Sequence, residues 1–299
     1  MSSIKPVLEG DPAFDAVYRH MTAEGPAALG KLGSIETELA YYRFKTRAMP
    51  HAVPIHQGML MTLCRNAGMF PPKQDVAERM ADELLKSLLF MNALPPWWLK
   101  TESLEMFGKF ARTADYVDLP SLECFLSVNP RHWWTAALPK GTRVLVISPF
   151  ADTIYQQTTQ LDKVWASRPG LWAEGLEFQV LRFPLSFGVQ DTATQQSMLT
   201  KWTDSLGLLQ DFKAKMDALQ YDVALIGVGI HSLPLVAHAK QRGKKAIHLG
   251  GATQIYFGIR GGRWDGMKEF QPLFNEFWVR PSEVERPVRY EQVEKGCYW

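Results

Sequence analysis

Hydrophobic and polar positions alternate most legibly between Asp222 and Gly258. Val223–Ile226 is a short apolar run of strand character, and Gly227-Val228-Gly229 follows where a chain reverses into a helix without Cβ clashes. Leu233–Lys240 supplies the helix, and Gln241-Arg242-Gly243 ends it with cationic residues and a glycine. Lys244–Leu249 resumes an apolar strand, and Gly250-Gly251 opens a second turn. The pattern predicts one βαβ unit, a connection that is parallel and right-handed.

Upstream of it, the pattern predicts a strand at Arg143–Ile147, a turn at Ser148-Pro149-Phe150 and a helix over Asp152–Trp165. A strand at Phe178–Arg182 and one long helix over Thr192–Leu219 follow. Before Leu138 the period is mostly helical: Asp11–Thr22, with Asp11 as N-cap and Pro12 in the first turn, then Ser34–Arg47 with Ser34 as cap, His56–Arg65, Asp75–Met91 and Ser103–Ala111. Short strands are predicted at Ala27–Leu32 and Tyr116–Asp118, with a helical turn after Pro120. Prolines mark a loop at 48–55, and Leu94-Pro95-Pro96-Trp97-Trp98 reads as a break. The expected fold is α/β, with a Rossmann-like, mainly parallel sheet and flanking helices. No linker composition divides it, so one domain is expected over 1–299: a mostly helical part (1–137), a regular part (138–265) and a tail (266–299). The tail ends in Cys297-Tyr298-Trp299, so it is expected to wrap onto the domain as an extended segment.

Composition narrows the class. At 46% hydrophobic and 21% charged residues the chain reads as soluble and globular, and a net charge of +2 without a Lys/Arg block argues against nucleic acid as partner. Cys64, Cys124 and Cys297 share no ligand spacing, which excludes a disulfide framework or a zinc site of the usual kind. The stretch MSSIKPVLEGDP lacks the pattern of a secretory signal and no apolar run reaches membrane-spanning length, so a cytoplasmic protein is expected. The abundant aromatic residues, including Trp97-Trp98 and Trp133-Trp134, are read mainly as core, with a minority free to act as platforms for a sugar ring or a base.

Both glycine turns fall at the carboxyl ends of adjacent parallel strands, where open α/β sheets bind ligands. Gly227 and Gly229 do not complete a dinucleotide fingerprint: Ser232 stands at the third position and no acidic residue ends the next strand. What the pattern supports is a cleft for a phosphate- or sugar-bearing small molecule, bordered by Gly227, Gly229, Gly250 and Gly251. Ser148, Pro149 and Phe150 end another strand and bring a hydroxyl and backbone amides towards the same place. His231 follows the first turn at a helix start, where an imidazole donates to a phosphate or serves as general base. His248 ends the second strand, where a histidine is either a satisfied core residue or a ligand contact.

The segment IGVGIHSLPLVAHAKQRGKKAIHLGGATQIYFGIRGGRW, preceded by VLVISPFADTIYQQ and GKLGSIETEL and followed by NEFWVRP and GCYW, resembles a group of bacterial and viral proteins with the GT-D type of glycosyltransferase fold. The resemblance runs from about Gly30 to Trp299. It implies a sugar-nucleotide-dependent transferase with a Rossmann-like core and an Asp-x-Glu motif that holds a divalent metal and the nucleotide diphosphate. Here Ser34-Ile35-Glu36 stands at that place, after Gly33, with the Glu kept and the Asp replaced. One carboxylate and one hydroxyl make a weaker site for Mg²⁺ or Mn²⁺ than two carboxylates. Either Glu36 holds the metal with help from the diphosphate and water, or cations neutralise the diphosphate, the candidates being Arg263, Lys31 and Arg260. Asn66 and Gly68 enter the site only through the resemblance, and Glu36 and His231 are the residues assigned to catalysis. The implied activity is transfer of a sugar from a nucleotide-sugar to a hydroxyl acceptor in glycan or surface polysaccharide synthesis. A non-catalytic or partner-dependent nucleotide-binding protein is the alternative. Sugar transfer to DNA bases is a weaker one, disfavoured by the charge.

Overall fold

The structure is a computed structural model that describes residues 5–49, 53–96, 103–186 and 192–299. Trp97, Trp98 and the middle of the proline loop, 50–52, lie outside the described residues. Seven strands form one sheet: β1 (Ala27–Leu29), β2 (Ala93–Leu94), β3 (Asp115–Tyr116), β4 (Arg143–Ser148), β5 (Glu177–Arg182), β6 (Val223–Ile226) and β7 (Lys245–His248). Their order is β3-β2-β1-β7-β6-β4-β5, and every pairing is parallel. Helices cover both faces, an α/β, Rossmann-like arrangement.

The period of two explains the layers. Leu145, Ile147, Ala224 and Ile226 face a core built with Leu39, Leu84, Phe212 and Leu235. Val144, Val146, Val223 and Leu225 face the other, which holds Met21, Trp134, Trp165, Tyr256 and Trp278. Both cores mix residues from before and after Leu138. No helix among the described residues is long and apolar enough to cross a membrane.

The βαβ unit of the second half stands as the pattern predicts, with Val223 paired to Lys245 and Ile226 to His248. Elsewhere local contacts override the period. The helix predicted over Thr192–Leu219 is two, Thr192–Lys201 and Ser205–Ala218, because the Asp204 carboxylate caps the second by accepting from Gly207 N at 2.9 Å. The helix predicted over Asp152–Trp165 breaks into Ala151–Gln157, a 3₁₀ turn at Thr158–Gln160 and Leu161–Val164. Gly10 and Gly33, not Asp11 and Ser34, occupy the N-cap positions of their helices. Ala93–Leu94, whose second residue opens the predicted proline break, is a strand between β1 and β3.

The tail is not extended. It folds into successive single 3₁₀ turns and anchors on the Ala151–Gln157 helix through a fully buried carboxylate, Glu285. Glu285 accepts from Asp152 N at 2.7 Å, Thr153 N at 3.3 Å and the Thr153 hydroxyl, and from Ser282 N and Oγ at 3.3 and 3.1 Å. Removing a buried acceptor strands its donors. Glu285→Ala is therefore expected to lower the unfolding free energy by about 3 kcal/mol in urea titration, within the range for breaking a buried charged network. A loss below about 1 kcal/mol would mean that the tail does not depend on this anchor.

Candidate functional site

The chain leaves β4 towards β5 and leaves β6 towards β7 in the opposite direction, so their carboxyl ends part at a topological switch point. A cleft of about 880 Å³ opens there, spanning the ends of β1, β7, β6 and β4. Close approach of the β6 and β7 turns dictates one glycine: a Cβ on Gly227 would stand 2.5 Å from Thr253 Oγ1 and 2.7 Å from Gly250 O.

Of the backbone amides that a phosphate would use at these turns, those of Val228, Phe150 and Gly250 are engaged. Val228 N donates to Ser232 Oγ at 2.8 Å, so the residue at the missing third-glycine position caps its own turn. Phe150 N donates to Ser148 Oγ at 3.1 Å, and Glu285 takes the next amides, at Asp152 and Thr153. Gly250 N lies 3.1 Å from His248 Nδ1, which is also 3.0 Å from Ile226 O. Burial pushes the His248 pKa down to about 3, so the ring is neutral at physiological pH.

Charge enters through side chains. Lys31 follows β1 and runs over the Gly250 turn, where a glycine Cβ would meet its Cε at 3.1 Å. Burial lowers its pKa, which Glu123 and Glu36 partly restore. Glu36 folds back over Gly33, so closely that a Cβ there would lie 2.3 Å from Oε2. Burial raises its pKa to about 7, with Glu294 adding repulsion and Lys31 opposing. Glu123, after β3, is raised to about 7 by burial against the pull of Lys31 and Arg263. Arg263 pairs with Glu294 and lies 3.2 Å from the Tyr298 hydroxyl, which donates to Glu294 at 2.9 Å. Glu294 and Lys295 have φ of 46° and 61°, left-handed values uncommon outside glycine, in the bend that delivers the Glu294 carboxylate to Arg263.

Of the residues named from sequence, Gly33, Ser34, Glu36, Asn66, Ser148, Pro149, Phe150, Gly227, Gly229, His248, Gly250, Gly251 and Arg263 border the cleft, as does Lys31. Three do not. His231 sits in the Gly229–His231 3₁₀ turn, fully buried with its ring 5.2 Å from that of Phe183, and burial lowers its pKa to about 4. The assignment of His231 to catalysis is therefore corrected: the turn aims the ring at the core. Gly68 is a buried left-handed helix C-cap with φ 74°, and Arg260 is paired with Asp265 at 3.1 Å. Sequence reasoning missed Glu123, Glu294 and Tyr298. Only the aromatic ending of the tail hinted that this segment returns to the site.

The donor set does not fit a metal held by the protein alone. Among the described residues no three His, Cys, Asp or Glu side chains gather where they would hold an ion, Ser34 is exposed, and the nearest charges to Glu36 include a lysine.

No family model matches the chain, and no curated protein matches it. It is similar to a solved structure titled as a selenomethionine-substituted domain of unknown function 1792, at 14% identity over 85% of this chain and 81% of that one, with a TM-score of 0.40. A superposition this loose carries no weight for the site.

Glu36 and Glu123 bind protons in the folded state up to about pH 7, whereas their ordinary pKa is 4.5. The stability they contribute is present below about 4.5 and lost as pH rises through 7. Between pH 5 and 8 Glu123→Gln should flatten the fall in Tm by at least about 2 °C relative to wild type, by differential scanning fluorimetry. Parallel profiles for the two proteins would show that Glu123 is not held protonated by the fold.

Proposed function

We propose that the chain is a glycosyltransferase that moves a sugar from a nucleotide-sugar donor to a hydroxyl acceptor, and that Lys31 and Arg263 receive the diphosphate. The observation that carries this reading is the placement of those two cations, with Glu36 and Glu123 beside them, in one cleft at the switch point of a parallel sheet. The sequence resemblance to GT-D glycosyltransferases supports the same substrate class. A volume of about 880 Å³ suits a nucleotide-sugar, and Phe150, Trp264, Tyr298 and Trp299 on the walls offer faces for a base or a sugar ring.

Transfer is a displacement at the anomeric carbon. As the bond to the diphosphate breaks, negative charge grows on the departing oxygen, and fixed cations in a dry site stabilise it more strongly than water does. With the Val228, Gly250 and Phe150 amides engaged elsewhere, we assign that task to Lys31 and Arg263. Glu36, at the carboxylate position of the family motif, is assigned to the donor side, where it keeps Lys31 charged and accepts a donor hydroxyl.

A second reading, nucleotide binding without turnover, is favoured by one observation: Ser34 replaces the motif's Asp and no metal-holding cluster forms among the described residues. A panel of nucleoside diphosphate sugars, followed by thermal shift and donor consumption with and without EDTA, separates the two. One donor is expected to bind and turn over regardless of EDTA, and Lys31→Met and Arg263→Met should each weaken its binding at least ~10-fold, the value of one charged hydrogen bond. Binding without turnover selects the second reading, and no binding by any donor removes both.

A further inference from the structure

The carboxylates in and around the cleft differ in exposure and in partners: Glu38 and Glu269 stand exposed on its wall. Glu294 is taken up by Arg263 and the Tyr298 hydroxyl, Glu285 by the helix amides, and Glu36 lies folded over Gly33. Glu123 is different. It is 8% exposed and lines the cleft, yet none of the described residues donates a hydrogen bond to its carboxylate. Its oxygens are not among the fully enclosed atoms that lack a partner, so they open to the cleft, where water or a ligand supplies one.

Its backbone is also fixed with unusual care. Glu123 sits at the joint between two 3₁₀ turns, Pro120–Leu122 and Cys124–Leu126. The fully buried Tyr256 hydroxyl clamps both sides of it, donating to Leu122 O at 3.1 Å and accepting from Cys124 N at 3.1 Å. Tyr256 is itself held by Trp165 Nε1 and Trp172 Nε1, which donate to its carbonyl at 2.9 and 3.2 Å, and by edge-on contact with Phe125 at 4.7 Å. A network of this kind holds a reacting group in place rather than merely filling space.

We propose that Glu123 is the catalytic base of this cleft, taking the proton of the acceptor hydroxyl. This rests on the transfer reading above. In the step, the acceptor O–H proton passes to a Glu123 oxygen, the acceptor oxygen bonds to the anomeric carbon, and the bond from that carbon to the diphosphate breaks with its electron pair leaving on the phosphate. Glu123 then releases the proton to solvent. The charged groups facing it are Lys31, Arg263 and Glu269, and with burial they leave it poised near neutrality.

Glu123→Gln keeps the shape and removes the base. On a donor turned over by wild type, kcat should fall at least ~100-fold with donor KM within about threefold. Pyrophosphate binding by calorimetry should be kept, and Glu123→Asp should restore part of the rate. Unchanged kcat overturns the proposal, and so does loss of pyrophosphate binding in step with kcat, which would make Glu123 a binding residue. A second arm does not depend on turnover: labelling of Glu123 in the wild-type protein by a water-soluble carbodiimide with glycine ethyl ester, read by peptide mass mapping. Labelling that rises as pH falls through 7 and is blocked by pyrophosphate supports the proposal. An unreactive Glu123 in the folded protein overturns it, because a carboxyl closed to that reagent is closed to an acceptor hydroxyl.

Discussion

Three residues of strand pairing hold the molecule's functional geometry together. Ala27, Ala28 and Leu29 pair with Lys245, Ala246 and Ile247, joining the three strands of the first part of the chain to the four of the second. All three β1 residues are buried, so a slip of one position would exchange the two core faces and is strongly opposed. Because the pairing is parallel, β1 and β7 end on the same edge of the sheet, and Lys31 is thereby laid across the Gly250 turn. The cation, Glu36 at the start of the next helix and the paired turns of β6 and β7 all take their relative places from this register.

The tail completes what the sheet begins. Glu285 occupies the amides at the start of the Ala151–Gln157 helix, donors that a helix start leaves without an intrahelical partner. Farther on, Gly262 N and Arg263 N donate to the carbonyls of Trp299 and Cys297 at 3.2 and 2.9 Å, which sets Arg263 against Glu294 and Tyr298. The chain thus satisfies the amides of one helix start with its own carboxylate. The cleft thereby carries Lys31 and Arg263 among five carboxylates, Glu36, Glu38, Glu123, Glu269 and Glu294, and under the proposed reading those two cations are what meets a diphosphate.

What was legible in the sequence follows the range of the interactions involved. The β6–β7 unit could be read because its signals are local: an apolar run, a glycine turn, a helix and a second run lie in one continuous stretch. Its close glycine, Gly227, was readable as a turn, although the Thr253 contact that demands it was not. The two-residue strand Ala93–Leu94 carried no period to detect, and its neighbours on either side create it. His231 was misplaced because a single 3₁₀ turn, invisible to hydrophobic spacing, rotates its ring inwards. Glu123 looked like any charged residue in an irregular stretch. Its burial and fixation come from Tyr256, supplied by a distant part of the chain after β7.

The central claim is that side-chain cations at the switch point, rather than helix amides or a protein-held metal, receive a diphosphate. The most direct measurement is a crystal structure with a bound nucleoside diphosphate, grown once with and once without Mn²⁺. The account predicts both phosphates within ion-pair distance of Lys31 and Arg263 in each crystal, with the Glu285 anchor unchanged. Phosphates seated on the amides of Asp152 and Thr153 after displacement of Glu285, or bound only through a metal on Glu36, would contradict it.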